Sequence, residues 1–178
     1  MSTSGSTSLL KRFYSPCVYW SLLLAGGLLA EAVALYFQYG LDYGPCVLCI
    51  HIRLWVMALI LVSLLGLIGQ RCRHIQRLGH LLTASISLGL VERSWRTLAI
   101  EKNWIESSCT FDSGLPDWFA PDRWWPWMFE IWESCGYTPE VVAGLSMAEI
   151  LSVATLIFVP LAFIGLIRCL GHEADISP

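Results

Sequence analysis

Two cysteines separated by two residues are the part of this sequence best suited to chemistry. They are Cys46, which directly follows Pro45, and Cys49. A Cys-x-x-Cys spacing allows a small disulfide that exchanges with other thiols, and the thiolate is its reactive form. At the start of a helix, Cys49 is favoured as an anion by the helix dipole, and Arg53 shares its helix face four residues later. The pattern therefore predicts a redox-active dithiol.

A second pair of cysteines, Cys109 and Cys135, lies further along the chain. Spacing alone favours a structural disulfide that closes a loop. However, two dithiols on the same face of a small protein can also exchange with each other. A zinc site built from all four thiols is a third possibility, but thiols in an oxidising compartment usually form disulfides, so we expect no metal. The spacing leaves three possible pairings open.

The elements that position these cysteines are apolar helices. The chain has 178 residues, of which 56% are hydrophobic and 14% charged, whereas soluble domains average roughly 25% charged residues. The net charge of -3 gives no basic surface for nucleic acid. Four apolar runs predict an all-α membrane protein, a single domain with four transmembrane helices at about 17–37, 47–68, 78–100 and 142–167. The third run is the weakest, since it carries His80, Glu92, Arg93 and Arg96.

Basic residues predict the orientation of these helices. Six of them lie at the same side of the predicted spans: Lys11, Arg12, Arg71, Arg73, Arg77 and Arg168. The positive-inside rule places this side, and both termini, in the cytoplasm. The outer loops are then about 38–46 and 101–141.

This orientation divides the seven cysteines in a way that supports it. Cys46, Cys49, Cys109 and Cys135 fall on the oxidising side, and Cys17, Cys72 and Cys169 fall on the cytoplasmic side, where we expect free thiols. In the long outer loop, the tryptophan-rich stretch from Asp117 to Glu133 predicts a helical segment lying in the membrane surface. Pro121 and Pro126 predict that this segment is interrupted.

The first span raises two questions of its own. Lys11-Arg12, an apolar run and Ala30-Glu31-Ala32 are typical of a cleavable signal peptide. The apolar run is long for a signal peptide and continues to Phe37, so we expect a retained helix. For Glu31, a structural role is favoured over proton handling, because no reacting group is visible near it in the sequence.

The sequence resembles the disulfide bond formation protein B family, DsbB. The resemblance lies in Leu28–Gln38 and Gly44–Arg53, and in the long loop in Cys109-x-Phe111, Leu115–Trp118 and Cys135. It covers the first two spans and the long loop closely, whereas the third and fourth spans match mainly in hydropathy. Some family members have a histidine near the outer end of the third span, and this chain has none there.

The resemblance implies a relay in the bacterial inner membrane, with its active site facing the periplasm. A reduced DsbA-like thioredoxin-fold protein would attack a Cys109–Cys135 disulfide, and Cys109 would form the mixed disulfide. Electrons would then pass to Cys46 and Cys49, with Cys49 and Arg53 next to a membrane quinone, either ubiquinone or menaquinone. Two alternatives stay open. One is a non-catalytic membrane protein whose disulfides brace its loops, and the other is a quinone-linked thiol oxidoreductase of the vitamin K epoxide reductase type, which usually carries its Cys-x-x-Cys in a late helix.

Overall fold

The protein is mainly helical. The computed structural model describes residues 16–106, 113–136, 138–142 and 144–174, so Lys11, Arg12 and Cys109 lie outside the described residues. The long helices are α1 (Pro16–Gly40), α2 (Val47–Ile68) and α3 (Arg73–Glu101), followed by the single-turn helices α4 (Pro121–Trp124) and α5 (Pro126–Phe129). A two-stranded antiparallel sheet, β1 (Glu140–Val142) and β2 (Leu145–Ser146), precedes the last long helix, α6 (Met147–Ala174).

Three helices in the described part of the chain are long and apolar enough to cross a membrane. They are α1, α2 and the portion Met147–Gly171 of α6, and the chain is therefore a membrane protein. Helix α3 has 29 residues but is not one of the three, because its polar side chains lower its mean hydropathy. It packs against both α2 and α6 through a face that includes the buried residues Thr83, Ser87 and Ser94.

The last long helix begins later than the sequence predicts. The predicted span starts at about residue 142, but β1 and β2 pair as antiparallel strands before the helix, and Gly144, next to β2, has a φ of +80°. Helix α6 then starts with a capping box, a reciprocal pair of hydrogen bonds at a helix N-terminus. The Ser146 hydroxyl accepts from the Glu149 amide at 3.2 Å, and the Glu149 carboxylate accepts from the Ser146 amide at 3.0 Å. This cap fixes the start of the helix at Met147.

Trp20 joins three helices at the end of the protein opposite Cys46 and Cys49. Its side chain is fully buried, and its indole N–H donates to the Gln76 carboxamide at 2.7 Å. The ring lies so close to two glycines that an added Cβ would overlap it at Gly66 of α2 and would be 2.9 Å from it at Gly79 of α3. The absence of a side chain at these two positions allows α1, α2 and α3 to pack closely.

The tryptophan-rich segment Asp117–Glu133 is interrupted, as the sequence predicts. Pro121 and Pro126 each begin a single helical turn, α4 and α5, and Trp125 separates the two turns with φ −134° and ψ 66°. Five tryptophans of this segment remain exposed: Trp118, Trp124, Trp125, Trp127 and Trp132. Met128 and Phe129 instead pack against Ile50, so α5 is held against the beginning of α2.

Candidate functional site

Cys46 and Cys49 lie together at the N-terminus of α2. Cys46 is the N-cap residue, and its sulfur accepts a hydrogen bond from the Cys49 amide at 3.3 Å. The two sulfur atoms are 2.7 Å apart, and both thiols are free. Cys46 is buried and Cys49 is half-buried. The helix start therefore brings the two sulfurs within reach of a disulfide bond and leaves Cys49 the more accessible.

The two thiols differ in their readiness to lose a proton. A hydrogen bond shared with Cys49, together with burial, raises the pKa of the Cys46 thiol well above its usual range. This difference favours Cys46 as the donor of the hydrogen bond between the two sulfurs. Cys49 is then the acceptor, next to the positive end of the α2 dipole, which favours a thiolate there.

Arg53 connects α2 to two other elements. It is 6% exposed, and its Nη1 donates to the Gln38 carboxamide oxygen and to the Met128 carbonyl, both at 2.6 Å. Gln38 also donates through Nε2 to the Trp127 carbonyl at 3.4 Å, and the Tyr39 hydroxyl donates to the same carbonyl. These bonds attach α5 to the ends of α1 and α2, one helical turn from Cys49.

The segment that leads to Cys135 touches the turn that leads to Cys46. The backbone amides of Trp132 and Glu133 both donate to the Pro45 carbonyl, at 3.1 and 3.4 Å. Gly44 is so close to this segment that an added Cβ would lie 2.5 Å from the Trp132 Cβ. Cys135, two residues after Glu133, is half-buried and takes part in a disulfide.

Sequence reasoning named Cys109 as the partner of Cys135, and Cys109 lies outside the described residues. Their pairing therefore stays a prediction. Cys135 lines an open depression of about 620 Å³, together with the end of α3 and the residues after it: Ile100, Glu101, Asn103, Trp104, Ile105 and Glu106. The described half of the second pair thus lies beside an open depression in the surface.

His51 has a contact that sequence reasoning missed. Its Nε2 lies 2.9 Å from the Ser113 carbonyl, which ties α2 to the outer loop. His51 also lines a cavity of about 370 Å³ whose walls are mostly apolar and include Trp55, Phe119 and the cation Arg93. Successive residues of a helix are offset by about 100° around its axis, so the side of α2 that carries His51 faces away from the side that carries Cys49 and Arg53.

The remaining polar residues singled out in the sequence differ in their contacts. Glu31 is buried, and neither carboxylate oxygen has a hydrogen-bond partner within the part of the chain that the structure describes. Glu92 pairs with Arg93 at 3.0 Å and with Arg96. Cys17, Cys72 and Cys169 are free thiols, as predicted. Among the described residues, no group of three or more His, Cys, Asp or Glu side chains is arranged to hold a metal ion.

Comparison with known proteins identifies the family. The profile of Disulfide bond formation protein DsbB matches residues 16–165. The chain belongs to the DsbB family. It is 34% identical over 143 residues to Disulfide bond formation protein B 2 of Pseudomonas aeruginosa, covering 79% of this chain and 84% of that protein. Disulfide bond formation protein B of Shewanella loihica is 31% identical over 154 residues, covering 83% and 86% of the two chains.

A third relative, Disulfide bond formation protein B of Haemophilus influenzae, is 30% identical over 155 residues, covering 85% of this chain and 86% of that protein. The match to the DsbB profile includes α1, α2, α3, the outer loop and most of α6. All four cysteines of the two predicted pairs fall inside it. Membership in DsbB places the chain among oxidoreductases of disulfide bond formation.

Proposed function

We propose that this chain reoxidises a periplasmic DsbA-like dithiol protein by disulfide exchange and passes the electrons to a membrane quinone, ubiquinone or menaquinone. One observation carries the proposal. A pair of adjacent thiols, Cys46 and Cys49, begins a membrane-spanning helix beside the buried cation Arg53. The segment leading to the disulfide-bonded Cys135 is hydrogen-bonded to the same turn.

The proposal includes a topology. All four long helices cross the inner membrane of a bacterium, α3 included, and both termini are cytoplasmic. The distribution of lysine and arginine supports this orientation. Packing of α3 against both α2 and α6 would shield its polar side chains from lipid. The two pairs of cysteines then face the oxidising periplasm.

The first exchange oxidises the partner protein. One partner thiolate attacks the Cys109–Cys135 disulfide, forms a mixed disulfide with Cys109 and releases Cys135 as a thiolate. The second partner thiolate then attacks the mixed disulfide, so that the partner leaves as a disulfide and Cys109 and Cys135 hold its two electrons. The depression beside Cys135 supplies an accessible surface for this encounter.

The second exchange moves the electrons toward the membrane. One thiolate of the reduced loop pair attacks a Cys46–Cys49 disulfide at Cys46, forms a mixed disulfide with Cys46 and releases Cys49 as a thiolate. The other loop thiolate then attacks this mixed disulfide, so that the Cys109–Cys135 disulfide forms again, Cys46 is released, and Cys46 and Cys49 hold the two electrons. The contacts of Trp132 and Glu133 with Pro45 keep the Cys135 segment next to Cys46 for this step. The raised pKa of Cys46 favours the proton on that sulfur and the negative charge on Cys49.

The residues around Cys49 fit a quinone. Cys49 is half-buried at the membrane edge. Both hydrogen bonds of Arg53 within the described chain come from Nη1, which leaves Nε and Nη2 able to donate to a carbonyl oxygen. A bound quinone supplies the acceptor for two electrons and two protons. Cys49 and Arg53 would hold it, and the overall change is partner dithiol plus quinone to partner disulfide plus quinol.

Quinol formation by the purified protein tests the proposal. The protein in detergent is given a reduced DsbA-like partner and ubiquinone, and quinol is followed by absorbance. We expect quinol with the unaltered protein and none with Cys49→Ala. Cys72→Ala is the matched control, since Cys72 is also a free cysteine at a helix start, and it should retain full activity.

Absence of quinol with both ubiquinone and menaquinone would overturn the proposal. Resistance of the Cys135 disulfide to the reduced partner in the same experiment would favour a protein whose disulfides only brace its loops.

A further inference from the structure

Gln38 is a buried polar residue that the proposed electron relay does not use. It lies near the end of α1, and its side chain has no exposed surface. A buried carboxamide is stable only when its polar atoms are hydrogen-bonded. Here the oxygen accepts from Arg53 of α2, and the nitrogen donates to the Trp127 carbonyl of α5. One side chain thus connects three elements around the site.

The hydrogen bond from Arg53 to Gln38 restricts the direction of the guanidinium group. Arg53 Nη1 has two acceptors, the Gln38 oxygen and the Met128 carbonyl. Because the guanidinium is planar and its donors are fixed relative to one another, two acceptors on one nitrogen also orient the other donors. Gln38 therefore helps to set the direction of Nε and Nη2. Neither of these atoms has an acceptor among the described residues.

We propose that Gln38 is a positioning residue for quinone binding: it orients Arg53 so that the remaining guanidinium donors face a quinone carbonyl oxygen. This inference rests on the proposed function, because it assigns the acceptor of Arg53 to the quinone. Gln38 acts through Arg53 and does not take part in the transfer of electrons.

Gln38→Met is the test variant. Methionine is unbranched and of similar length, but its thioether is a weak acceptor and cannot donate. We expect the Kd of a short-chain ubiquinone for the oxidised protein, measured by quenching of tryptophan fluorescence, to rise about tenfold, as for the loss of one hydrogen bond to a charged group. The KM for the quinone should rise by a similar factor, with the rate of mixed-disulfide formation with the reduced partner unchanged.

Gln38→Glu separates the two bonds of Gln38. A carboxylate still accepts from Arg53 but no longer donates to the Trp127 carbonyl. We expect this variant to keep the Kd within about threefold of the unaltered protein, since the hydrogen bond that is lost is the one to the Trp127 carbonyl and does not involve Arg53 or the quinone. Rescue of this kind is a response that a purely structural role would not give.

Gln76→Met is the matched control at the other end of the protein. Gln76 accepts from Trp20 and donates to the Gly66 carbonyl at 2.8 Å, so its replacement removes hydrogen bonds of the same kind far from the site. We expect a lower unfolding midpoint and an unchanged quinone Kd. Tyr39→Phe removes the other contact with the Trp127 carbonyl, leaves both acceptors of Arg53 in place, and should also leave the quinone Kd unchanged.

Several outcomes would overturn the inference. An unchanged quinone Kd in Gln38→Met would do so, and so would a rise of equal size in Gln76→Met or Tyr39→Phe. Failure of Gln38→Glu to restore binding would show that Arg53 does not need an acceptor at this position. If the unaltered protein neither binds nor reduces quinone, the proposed function itself fails, which is a separate result.

Discussion

Gly44→Ala should slow electron transfer between the two cysteine pairs without altering any cysteine. Gly44 lies two residues before Cys46, and an added Cβ would be 2.5 Å from the Trp132 Cβ and 2.9 Å from the Glu133 Cγ. The Cβ of Trp132 is fixed to the backbone and cannot rotate away. The segment that leads to Cys135 must therefore move away from the turn that leads to Cys46.

The size of this displacement follows from the contact. Carbon atoms pack best at about 3.5–4.0 Å, so the methyl group forces a shift of about 1 Å. Overpacking of this kind costs about 1–3 kcal/mol, and it strains the bonds from Trp132 and Glu133 to the Pro45 carbonyl. A misplacement of about 1 Å between reacting groups can slow a reaction on the order of a hundredfold. We therefore expect steady-state turnover to fall about 10- to 100-fold.

The assay separates the two exchanges. Stoichiometric oxidation of the reduced partner by the loop disulfide should keep its normal rate, whereas quinol formation in the same sample should slow. Gly26→Ala is the control, since an added Cβ at Gly26 has no neighbour within 4 Å. Turnover of a folded Gly44→Ala variant within twofold of the unaltered protein would refute the reasoning, because contact between the two segments would then not limit the exchange.

Three further predictions concern the cysteines and the packing of the helices. In the reduced protein at pH 7, iodoacetamide should modify Cys49 at least about ten times faster than Cys46, because thiolates react and the pKa of buried Cys46 is raised. This preference should persist as the pH rises through the ordinary range of thiol pKa values. Equal modification of the two cysteines, measured by peptide mass spectrometry, would contradict the prediction. Replacement of Cys17, Cys72 and Cys169 by serine should leave quinol formation unchanged, and a large loss would contradict the proposed topology. Gly66→Ala should destabilise the fold by about 1–3 kcal/mol, because the added methyl group overlaps Trp20. Unfolding in detergent measures this effect, with Gly26→Ala as the control. An unchanged unfolding midpoint would show that α1 and α2 can move apart at this contact without loss of stability.

Local sequence signals predicted local structure well. The start of α2 at Val47, Cys49 in its first turn and the interruptions at Pro121 and Pro126 all depend on residues within a few positions of one another. The start of α6 was predicted wrongly although its signal is also local. Ser146 and Glu149 form a capping box, but several residues before them are also apolar. The apolar run that predicts the helix therefore begins before its first turn.

Contacts between distant residues could not be predicted. The acceptors of Arg53 are Gln38 and the Met128 carbonyl, 15 and 75 positions away, and a backbone carbonyl has no residue-specific signal. The contact of His51 with the Ser113 carbonyl is hidden for the same reason. The pairing of Cys109 with Cys135 and the quinone contacts of Arg53 stay predictions that the experiments above test.

The two hydrogen-bond acceptors of Arg53 are synthesised at different times. Ribosomes make α1 and α2 first, so Gln38 can accept from Arg53 as soon as these two helices enter the membrane as a hairpin. An arginine in a membrane helix costs up to about 2.5–3.5 kcal/mol on insertion scales, and a nearby carboxamide reduces that cost at this early stage. The Met128 carbonyl is synthesised 75 residues later. Helix α2 can therefore insert with one partner for its arginine, and the second becomes available only after the segment that contains Met128 has been synthesised and has packed against α2.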